Sequence, residues 1–163
     1  LKAECDAVTG LSNHASTRDL VNDALSDSHL AASSVFAVVD LDDFKVVNDT
    51  CGHLKGDELL REVASILRAN CRETDIVGRV GGDEFVVLLK HINMKAALRV
   101  FSVMRHAVEG ICLSSPDAPI SVSMSVGATQ TVADDREYRS VFSRADKALY
   151  EAKRAGKNQV RVG

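Results

Sequence analysis

The stretch Arg79-Val80-Gly81-Gly82-Asp83-Glu84-Phe85 lies between two short apolar runs, at 76–77 and 85–89. Gly-Gly is among the few dipeptides that accept the positive φ angles of a tight hairpin turn. The stretch therefore predicts a β-hairpin that carries Asp83 and Glu84 at or just past its tip. Because glycine has no Cβ, the turn would also let a bulky ligand lie close to the backbone. From these residues alone, an ordinary acidic turn is the commoner interpretation.

The composition is that of one globular domain. The 163 residues carry a net charge of −3, and a chain of this length buries about 70% of its unfolded surface. The lack of excess positive charge argues against a broad nucleic-acid-binding surface. No apolar run approaches the length of about 20 residues that a membrane span requires. We expect a single domain over 1–163, with 1–5 as a lead-in from an upstream segment, and neither nucleic acid nor membrane among its partners.

The cysteine usage indicates a reducing compartment. The four cysteines are scattered and form neither a close zinc-type pair nor a CxxC motif (Cys5, Cys51, Cys71 and Cys112). Nothing at the start of the chain resembles a signal peptide. We therefore expect free thiols in a cytoplasmic protein.

The order of apolar patterns predicts an α/β fold. The run 35–39 is continuously apolar, which is typical of a central strand buried on both faces, and acids follow it at 40, 42 and 43. Apolar residues alternate with serines over 120–126, which predicts a strand with one buried face. Helical spacing and breaks predict the remaining elements. These are a helix capped by Ser12 or Asn13, loops at 26–34 and 113–119, and helices over 44–51, from near 56 to 70–72, from 97 to a stop at Gly110 and from 138 to a stop at Gly156. With the hairpin and a closing strand at 159–162, this order predicts a mixed sheet flanked by helices, not a doubly wound parallel sheet.

Polar residues cluster at the ends of these elements. Asp40 ends the first strand, and Lys153 and Lys157 would project to one side of the last helix. Acids at neighbouring strand ends, such as Asp40 and Asp83, would repel each other unless they were protonated or bound a metal. Hard oxygen ligands select Mg²⁺, which binds through one or two carboxylates plus substrate phosphates, and nearby lysines would hold those phosphates. The pattern indicates a nucleoside triphosphate and phosphoryl or nucleotidyl transfer.

These residues stand in blocks that resemble the GGDEF domain family, the diguanylate cyclases. The resemblance covers nearly the whole chain, and the blocks occur in the family's order and spacing. The matching blocks are Asp6-Ala7-Val8-Thr9-Gly10-Leu11-Ser12-Asn13, Asp40-Leu41-Asp42-Asp43-Phe44-Lys45-Val46-Val47-Asn48-Asp49, Gly52-His53 with Gly56-Asp57, Gly81-Gly82-Asp83-Glu84-Phe85, Ala145-Asp146-Lys147-Ala148-Leu149-Tyr150-Glu151-Ala152-Lys153 and Gly156-Lys157-Asn158. One GGDEF string would be weak evidence, whereas the whole set is highly specific.

The resemblance implies a fold similar to the adenylyl cyclase and polymerase palm domains, which are ferredoxin-like. It also implies a reaction of bacterial second-messenger signalling, in which two GTP molecules become cyclic di-GMP and two pyrophosphates. Each domain would bind one GTP. Two domains would meet in a transient homodimer, so that each ribose 3′-oxygen attacks the α-phosphate held by the other domain.

The resemblance also implies the catalytic and metal-binding roles. Mg²⁺, which Mn²⁺ can replace, would be held by Asp40 and Asp83 with help from the Leu41 carbonyl. Asp83 or Glu84 would help to deprotonate the 3′-hydroxyl group, and Asp83 is preferred. The signature turn itself is formed by Gly81 and Gly82.

Substrate contacts follow in the same way. The phosphate-binding residues implied by the resemblance are the Phe44 backbone, Lys45, Lys153 and Lys157. Asn48 and Asp57 would read the guanine edge. A carboxylate suits that task because it accepts from the N1–H and N2–H groups of guanine, and an unpaired acceptor would discriminate against adenine.

The family has a product-binding inhibitory site, an RxxD placed just before the signature. Arg72-Glu73-Thr74-Asp75 occupies that position, and arginine can hold a phosphate or stack on guanine. An exposed ion pair between Arg72 and Asp75 is the alternative interpretation. A further arginine often used in this site falls on Val103, so weaker feedback inhibition is expected.

Other departures leave the active site intact. Val8 replaces a leucine, and His14 stands where the family usually has arginine. Lys157 also replaces an arginine, which keeps the charge but loses the bidentate fork. Asp42 and Asp43 are interpreted only as solvated or helix-capping acids.

Two alternatives to an active cyclase stay open. The chain could be a catalytically weak GGDEF module that binds GTP or cyclic di-GMP and regulates a neighbouring domain. It could instead be an interaction module with no nucleotide role. The intact signature acids argue against the first alternative, because degenerate members usually lose them, and the implied guanine readers argue against the second.

Overall fold

A computed structural model describes residues 4–114 and 119–163. Its main sheet has five strands in the order β2-β3-β1-β6-β7. In chain order these strands are β1 (Val35–Leu41), β2 (Ile76–Arg79), β3 (Glu84–Leu89), β6 (Met124–Gln130) and β7 (Val160–Val162). β1 is antiparallel to both β3 and β6, β2 is antiparallel to β3, and only β6 and β7 run parallel. A small second sheet pairs β4 (Leu113–Ser114) with β5 (Pro119–Ile120).

Helices cover both faces of the main sheet. They are α1 (His14–Leu25), α2 (Ser28–Ala31), α3 (Phe44–Cys51), α4 (His53–Ala69), α5 (Met94–Glu109) and α6 (Tyr138–Arg154). The predicted fold class, a mixed and mainly antiparallel sheet flanked by helices, is confirmed. Among the described residues, no helix has the length and apolarity needed to span a membrane.

The core lies on both sides of β1. Val35, Ala37 and Val39 pack with the apolar faces of α4 and α5, whereas Phe36 and Val38 pack with those of α1 and α6. All five side chains have no exposed surface. The prediction of a strand buried on both faces is therefore confirmed, and this central position fixes the acids at the end of the strand.

Several local predictions hold for clear reasons. The Asn13 side chain caps α1 by accepting from the Ser16 N–H at 2.9 Å. The predicted hairpin is formed by β2 and β3. All four cysteines are free thiols.

Three boundaries differ from the predictions. The predicted loop at 26–34 contains α2, because the Asp27 side chain accepts from the N–H groups of His29 and Leu30 and so caps a short helix. α4 begins at His53, three residues before the predicted Gly56. The predicted loop at 113–119 contributes β4 and the start of β5, while 115–118 lie outside the described residues.

The strand predicted over 120–126 is also wrong in its bounds. β6 begins at Met124 and continues to Gln130. The alternating serines suggested a solvated face, yet Ser125 is fully buried because its hydroxyl group donates to the Asp42 carboxylate. A satisfied hydroxyl group can occupy a core position, so the alternation did not mark the exposed face.

Candidate active site

Three carboxylates meet at one edge of the main sheet, the edge at which β1 ends and β3 begins. Asp40, near the end of β1, is the register partner of Glu84, the first residue of β3. The Leu41 N–H donates to the Asp83 carbonyl at 3.1 Å, which fixes the residue before β3 against the end of β1. The antiparallel pairing therefore brings together the acids that the sequence placed at two strand ends.

Burial makes this edge unfavourable for negative charge. It raises the pKa of Asp40 to about 6, a rise that the Lys153 ammonium opposes and the neighbouring Asp83 carboxylate increases. Burial also raises the pKa of Glu84 to about 7, with further contributions from Asp40, Asp146 and Asp83. Asp146 lies on α6 and has no role among the predictions, although it belongs to one of the matching blocks. A cation at this edge would relieve the repulsion.

The Asp40 carboxylate fits the chemistry of a metal ligand. Its Oδ1 is buried and has no hydrogen-bond partner in the described part of the chain, and its Oδ2 lies 3.0 Å from the Lys153 Nζ. Within residues 4–114 and 119–163, no group of three or more His, Cys, Asp or Glu side chains could hold a metal ion. A cation here would therefore need further ligands, such as the Leu41 carbonyl and substrate oxygens. Mg²⁺ commonly binds in this way, through one or two carboxylates plus phosphates.

The signature turn differs from the expected tight turn. Val80–Asp83 connect β2 to β3, and the N–H groups of Val80 and Gly81 both donate to the Glu84 carbonyl, at 2.9 and 3.3 Å. Neither Gly81 nor Gly82 has a positive φ, so the conformational reason predicted for the glycine pair is wrong. The four-residue connection is long enough to turn without left-handed residues. A Cβ at Gly82 would meet no atom within 4 Å, so the space beside the turn is open.

Arg79 fixes the shape of this turn, although no prediction gave it a role. Its Nε lies 3.1 Å from the carbonyl oxygens of both Gly81 and Gly82, and its Nη2 lies 2.7 Å from that of Gly82. Its Nη1 donates to both oxygens of Asp6, 73 residues earlier. The first block of matching residues thus supports the signature turn through one guanidinium group. An arginine two residues before Gly-Gly was the only local signal in the sequence.

The interpretation of Asp42 as a solvated or capping acid is wrong. Its carboxylate is buried and accepts hydrogen bonds from Ser123, Ser125 and Lys153 and from the N–H of Asn158. These bonds hold the pKa of Asp42 below its usual range, against the effect of burial. Asp42 therefore connects the end of β1 with β6 and with the end of α6.

Asp43 is a solvated acid, as predicted, whereas Lys157 differs from its predicted setting. Asp43 occupies the N-cap position of α3 but makes no side-chain capping bond. Its Oδ1 instead lies 2.7 Å from the Lys157 Nζ in a largely exposed ion pair. Lys157 lies beyond the end of α6, in a turn with φ of 63°, so it does not share a helix face with Lys153. Both lysines nevertheless reach the acids at 40–43.

The remaining predicted substrate residues lie on α3 and α4. Phe44 and Lys45 form the first turn of α3, where Lys45 is exposed. Gly56, which precedes Asp57 on α4, lies against the Asn48 side chain. A Cβ added to Gly56 would be only 1.9 Å from the Asn48 Oδ1. The absence of a side chain at Gly56 therefore permits α4 to pack against the predicted guanine reader on α3.

The predicted inhibitory pair is not the exposed ion pair of the alternative interpretation. The Asp75 side chain is 1% exposed and accepts from the N–H groups of Arg72 and Lys90, at 2.8 and 3.0 Å. The Arg72 side chain is 54% exposed, and its guanidinium contacts Asp75 and the Lys90 carbonyl. Both residues line a cavity of about 840 Å³. Val103 is exposed on α5 and borders a different cavity.

Comparison with known proteins agrees with the resemblance seen in the sequence. The family model described as "Diguanylate cyclase, GGDEF domain" matches residues 3–159. The diguanylate cyclase DgcP of Pseudomonas aeruginosa is 36% identical over 162 residues, which cover 99% of this chain and 24% of DgcP. The chain thus spans about a quarter of the length of this relative.

Solved structures show the same architecture. The GGDEF domain of DgcB from Caulobacter crescentus, crystallised in complex with c-di-GMP, superposes with a TM-score of 0.91 at 29% identity, covering 99% of this chain and 94% of that chain. The diguanylate cyclase SiaD from Pseudomonas aeruginosa, in complex with its activator SiaC, gives a TM-score of 0.90 at 34% identity. That match covers 99% of this chain and 62% of SiaD.

Proposed function

This chain belongs to the GGDEF domain family of diguanylate cyclases, and we propose that it condenses two GTP molecules into cyclic di-GMP and two pyrophosphates. The observation that carries the proposal is the meeting of Asp40 with Asp83 and Glu84 at one sheet edge, beside Lys153. A buried carboxylate oxygen without a partner, next to an ammonium group, suits a metal-bound triphosphate.

The metal site of the proposal uses the residues named from the sequence. Asp40 and Asp83 would hold Mg²⁺ or Mn²⁺ with the Leu41 carbonyl. A cation bound there would neutralise charge on the phosphates and polarise the α-phosphate. The unpartnered Asp40 Oδ1 supports this assignment, because a buried oxygen without a hydrogen bond costs stability unless a ligand satisfies it.

The other residues bind and orient the substrate in this proposal. Lys45, Lys153 and Lys157 hold the phosphates together with the Phe44 backbone. Asn48 and Asp57 hold the guanine. These contacts would restrict each GTP to one orientation, which lowers the entropic part of the barrier.

The chemical step follows from that orientation. The Asp83–Glu84 pair accepts the proton of the 3′-hydroxyl group as the 3′-oxygen bonds to the α-phosphorus of the second GTP. The bond to the pyrophosphate breaks in the same displacement. Closing the ring requires this step twice, and one chain offers one such set of residues, so we propose a transient homodimer of domains in the cytoplasm, where GTP is available.

Product feedback is a further part of the proposal. Arg72 is the exposed member of the predicted inhibitory pair, whereas Asp75 is buried and occupied by backbone donors. Arg72 would therefore make the main contact with cyclic di-GMP, and Asp75 would hold the arginine in place. Val103 offers no charge to a phosphate, which supports weak feedback.

Product formation from GTP and Mg²⁺ at several protein concentrations tests the proposed activity. We expect cyclic di-GMP to form at a rate that rises faster than linearly with protein concentration, and Asp83→Ala to abolish it. Asp19→Ala, which removes an exposed acid on α1, is the matched control and should keep the activity. GTP binding without product would favour the regulatory binding module, and neither binding nor product would favour the interaction module.

A further inference from the structure

Asp42 carries a buried carboxylate that no step of the proposed reaction uses. Its side chain is 2% exposed. Oδ1 accepts from the Ser125 hydroxyl at 2.7 Å and from the Lys153 Nζ at 2.8 Å. Oδ2 accepts from the Ser123 hydroxyl at 2.7 Å and from the Asn158 N–H at 3.0 Å. Two donors on each oxygen fix the position of this carboxylate and favour its charged form.

The first consequence concerns Lys153. Its ammonium group lies 2.8 Å from the Asp42 Oδ1 and 3.0 Å from the Asp40 Oδ2. An ammonium group has three N–H donors, so two are engaged by carboxylates and one is left for another acceptor. Without the Asp42 charge, Lys153 would keep only Asp40, the proposed metal ligand, as its partner. Asp42 therefore holds the ammonium group in place independently of the metal site.

The second consequence concerns the turn that follows α6. Lys157 and Asn158 have φ angles of 63° and 49°. The left-handed region is unfavourable for lysine and tolerated by asparagine, so a turn with both residues there gains from bonds to its surroundings. Asp42 supplies one bond by accepting from the Asn158 N–H, which also donates to the Ser125 hydroxyl oxygen at 3.1 Å. The Asn158 side chain supplies two more, with the Arg105 Nη1 at 3.0 Å and the Glu109 Oε2 at 2.7 Å.

We propose that Asp42 is a positioning residue for both lysines at the end of α6. It holds the Lys153 ammonium directly, and it holds Lys157 through the backbone of Asn158. The two positive charges thereby stand beside the acids at 40–43 before any ligand binds. The inference rests on the proposed function, because its ligand is the triphosphate of GTP. It assigns to Asp42 a role in binding the β- and γ-phosphates and no role in guanine recognition.

The test compares the affinities of a triphosphate and a monophosphate that cannot react. Calorimetric titration with 3′-deoxy-GTP and 3′-deoxy-GMP, in the presence of Mg²⁺, gives the two affinities. The affinity for the triphosphate divided by that for the monophosphate measures the contribution of the β- and γ-phosphates. We expect Asp42→Asn to lower this ratio about tenfold or more, since charge-assisted bonds to phosphate are lost. Affinity for 3′-deoxy-GMP should stay within about twofold of wild type, because the guanine readers are untouched.

Asp135→Asn is the matched control for the loss of a buried carboxylate. Asp135 also accepts four hydrogen bonds, from the Val132 N–H, the Ser140 hydroxyl and two nitrogens of Arg144, but it lies at the other end of α6. This variant should destabilise the fold without changing the affinity ratio. A ratio lowered equally by both variants would show a general structural effect and would overturn the inference.

A milder variant covers the case in which Asp42→Asn does not fold. Ser123→Ala removes one donor to Asp42 and keeps its charge, and we expect a ratio lowered about threefold. An unchanged ratio in the folded variants would overturn the inference alone, with the proposed function intact. Wild-type protein without preference for the triphosphate would instead overturn the proposed function, and the inference with it.

Discussion

The guanidinium of Arg79 and the carboxylate of Asp6 form an ion pair in which Nη1 lies 3.1 Å from both carboxylate oxygens. Burial disfavours the charged form of Asp6, but hydrogen bonds from Thr9 and from Arg79 bring its pKa below the usual range. The remaining guanidinium nitrogens hold the carbonyls of Gly81 and Gly82. The start of the chain is therefore linked to the signature turn through largely buried charges.

This link predicts the effect of Asp6→Asn. Removal of the carboxylate charge leaves Arg79 without its counter-charge, so we expect a loss of about 1–2 kcal/mol in the free energy of unfolding. We also expect faster amide hydrogen exchange at Val80 and Gly81, whose N–H groups close the turn. Urea unfolding and hydrogen exchange would measure the two effects.

An exposed pair provides the control for that variant. Lys55 and Glu58 are both more than half exposed and lie 3.3 Å apart. Glu58→Gln should change the free energy of unfolding by less than about 0.5 kcal/mol. Equal effects of Asp6→Asn and Glu58→Gln would contradict the role given to the Arg79 link.

Gly82→Ala separates the two reasons for glycine in the signature. Gly82 has no positive φ, and a Cβ there meets no atom within 4 Å, so the folded chain has room for alanine. We expect stability within about 0.5 kcal/mol of wild type. If glycine is needed for the approach of a ligand, affinity for 3′-deoxy-GTP should fall about tenfold, as measured by calorimetric titration. Unchanged affinity would mean that the turn does not contact the nucleotide.

Gly56→Ala should act on the proposed guanine site. The added Cβ would lie 1.9 Å from the Asn48 Oδ1, so this amide must move. We expect affinity for 3′-deoxy-GMP to fall about tenfold, with less discrimination between guanine and adenine nucleotides. Gly110→Ala is a suitable control, because its φ is −78° and its nearest contact would be 3.4 Å. Normal guanine affinity in Gly56→Ala would remove Asn48 from the proposed site.

Much of the sheet and part of the site follow from local sequence patterns. The apolar run at 35–39 specifies the central strand, and the acids directly after it must lie at a sheet edge. Antiparallel pairing of β1 with β3 then places Asp40 opposite Glu84. This strand end can be located from the sequence, because the continuous apolar run stops abruptly at Asp40.

The features that were missed depend on distant partners. Asp42 owes its burial to Ser123 and Ser125, which are 81 and 83 residues away, so no local pattern distinguishes it from a solvated acid. The same serines made β6 look half-solvated. Arg79 likewise gains its role from Asp6, 73 residues earlier. Interactions of this kind become visible only when the sheet has brought the elements together.

The raised pKa of Glu84 predicts how stability depends on pH in the absence of divalent cations. Burial and neighbouring acids raise this pKa to about 7 from an unfolded value of 4.5. For an acid whose pKa is higher in the folded state, stability falls as the pH rises from the unfolded toward the folded value. At pH 8 the charged carboxylate is therefore a net cost, and Glu84→Gln should stabilise the chain by about 1 kcal/mol, since partial exposure screens the charge. Urea unfolding in the presence of a chelator would measure this difference.

The same variant should lose its advantage in acid. Well below pH 4.5, at about pH 3, the carboxyl group is protonated in both states, so wild type and Glu84→Gln should unfold at nearly the same urea concentration. A Glu84→Gln variant less stable than wild type at pH 8 would contradict the prediction, and it would mean that the charged carboxylate is satisfied by partners in the free domain. The expected result would show that the free domain holds the acids of this sheet edge together at a net cost in stability.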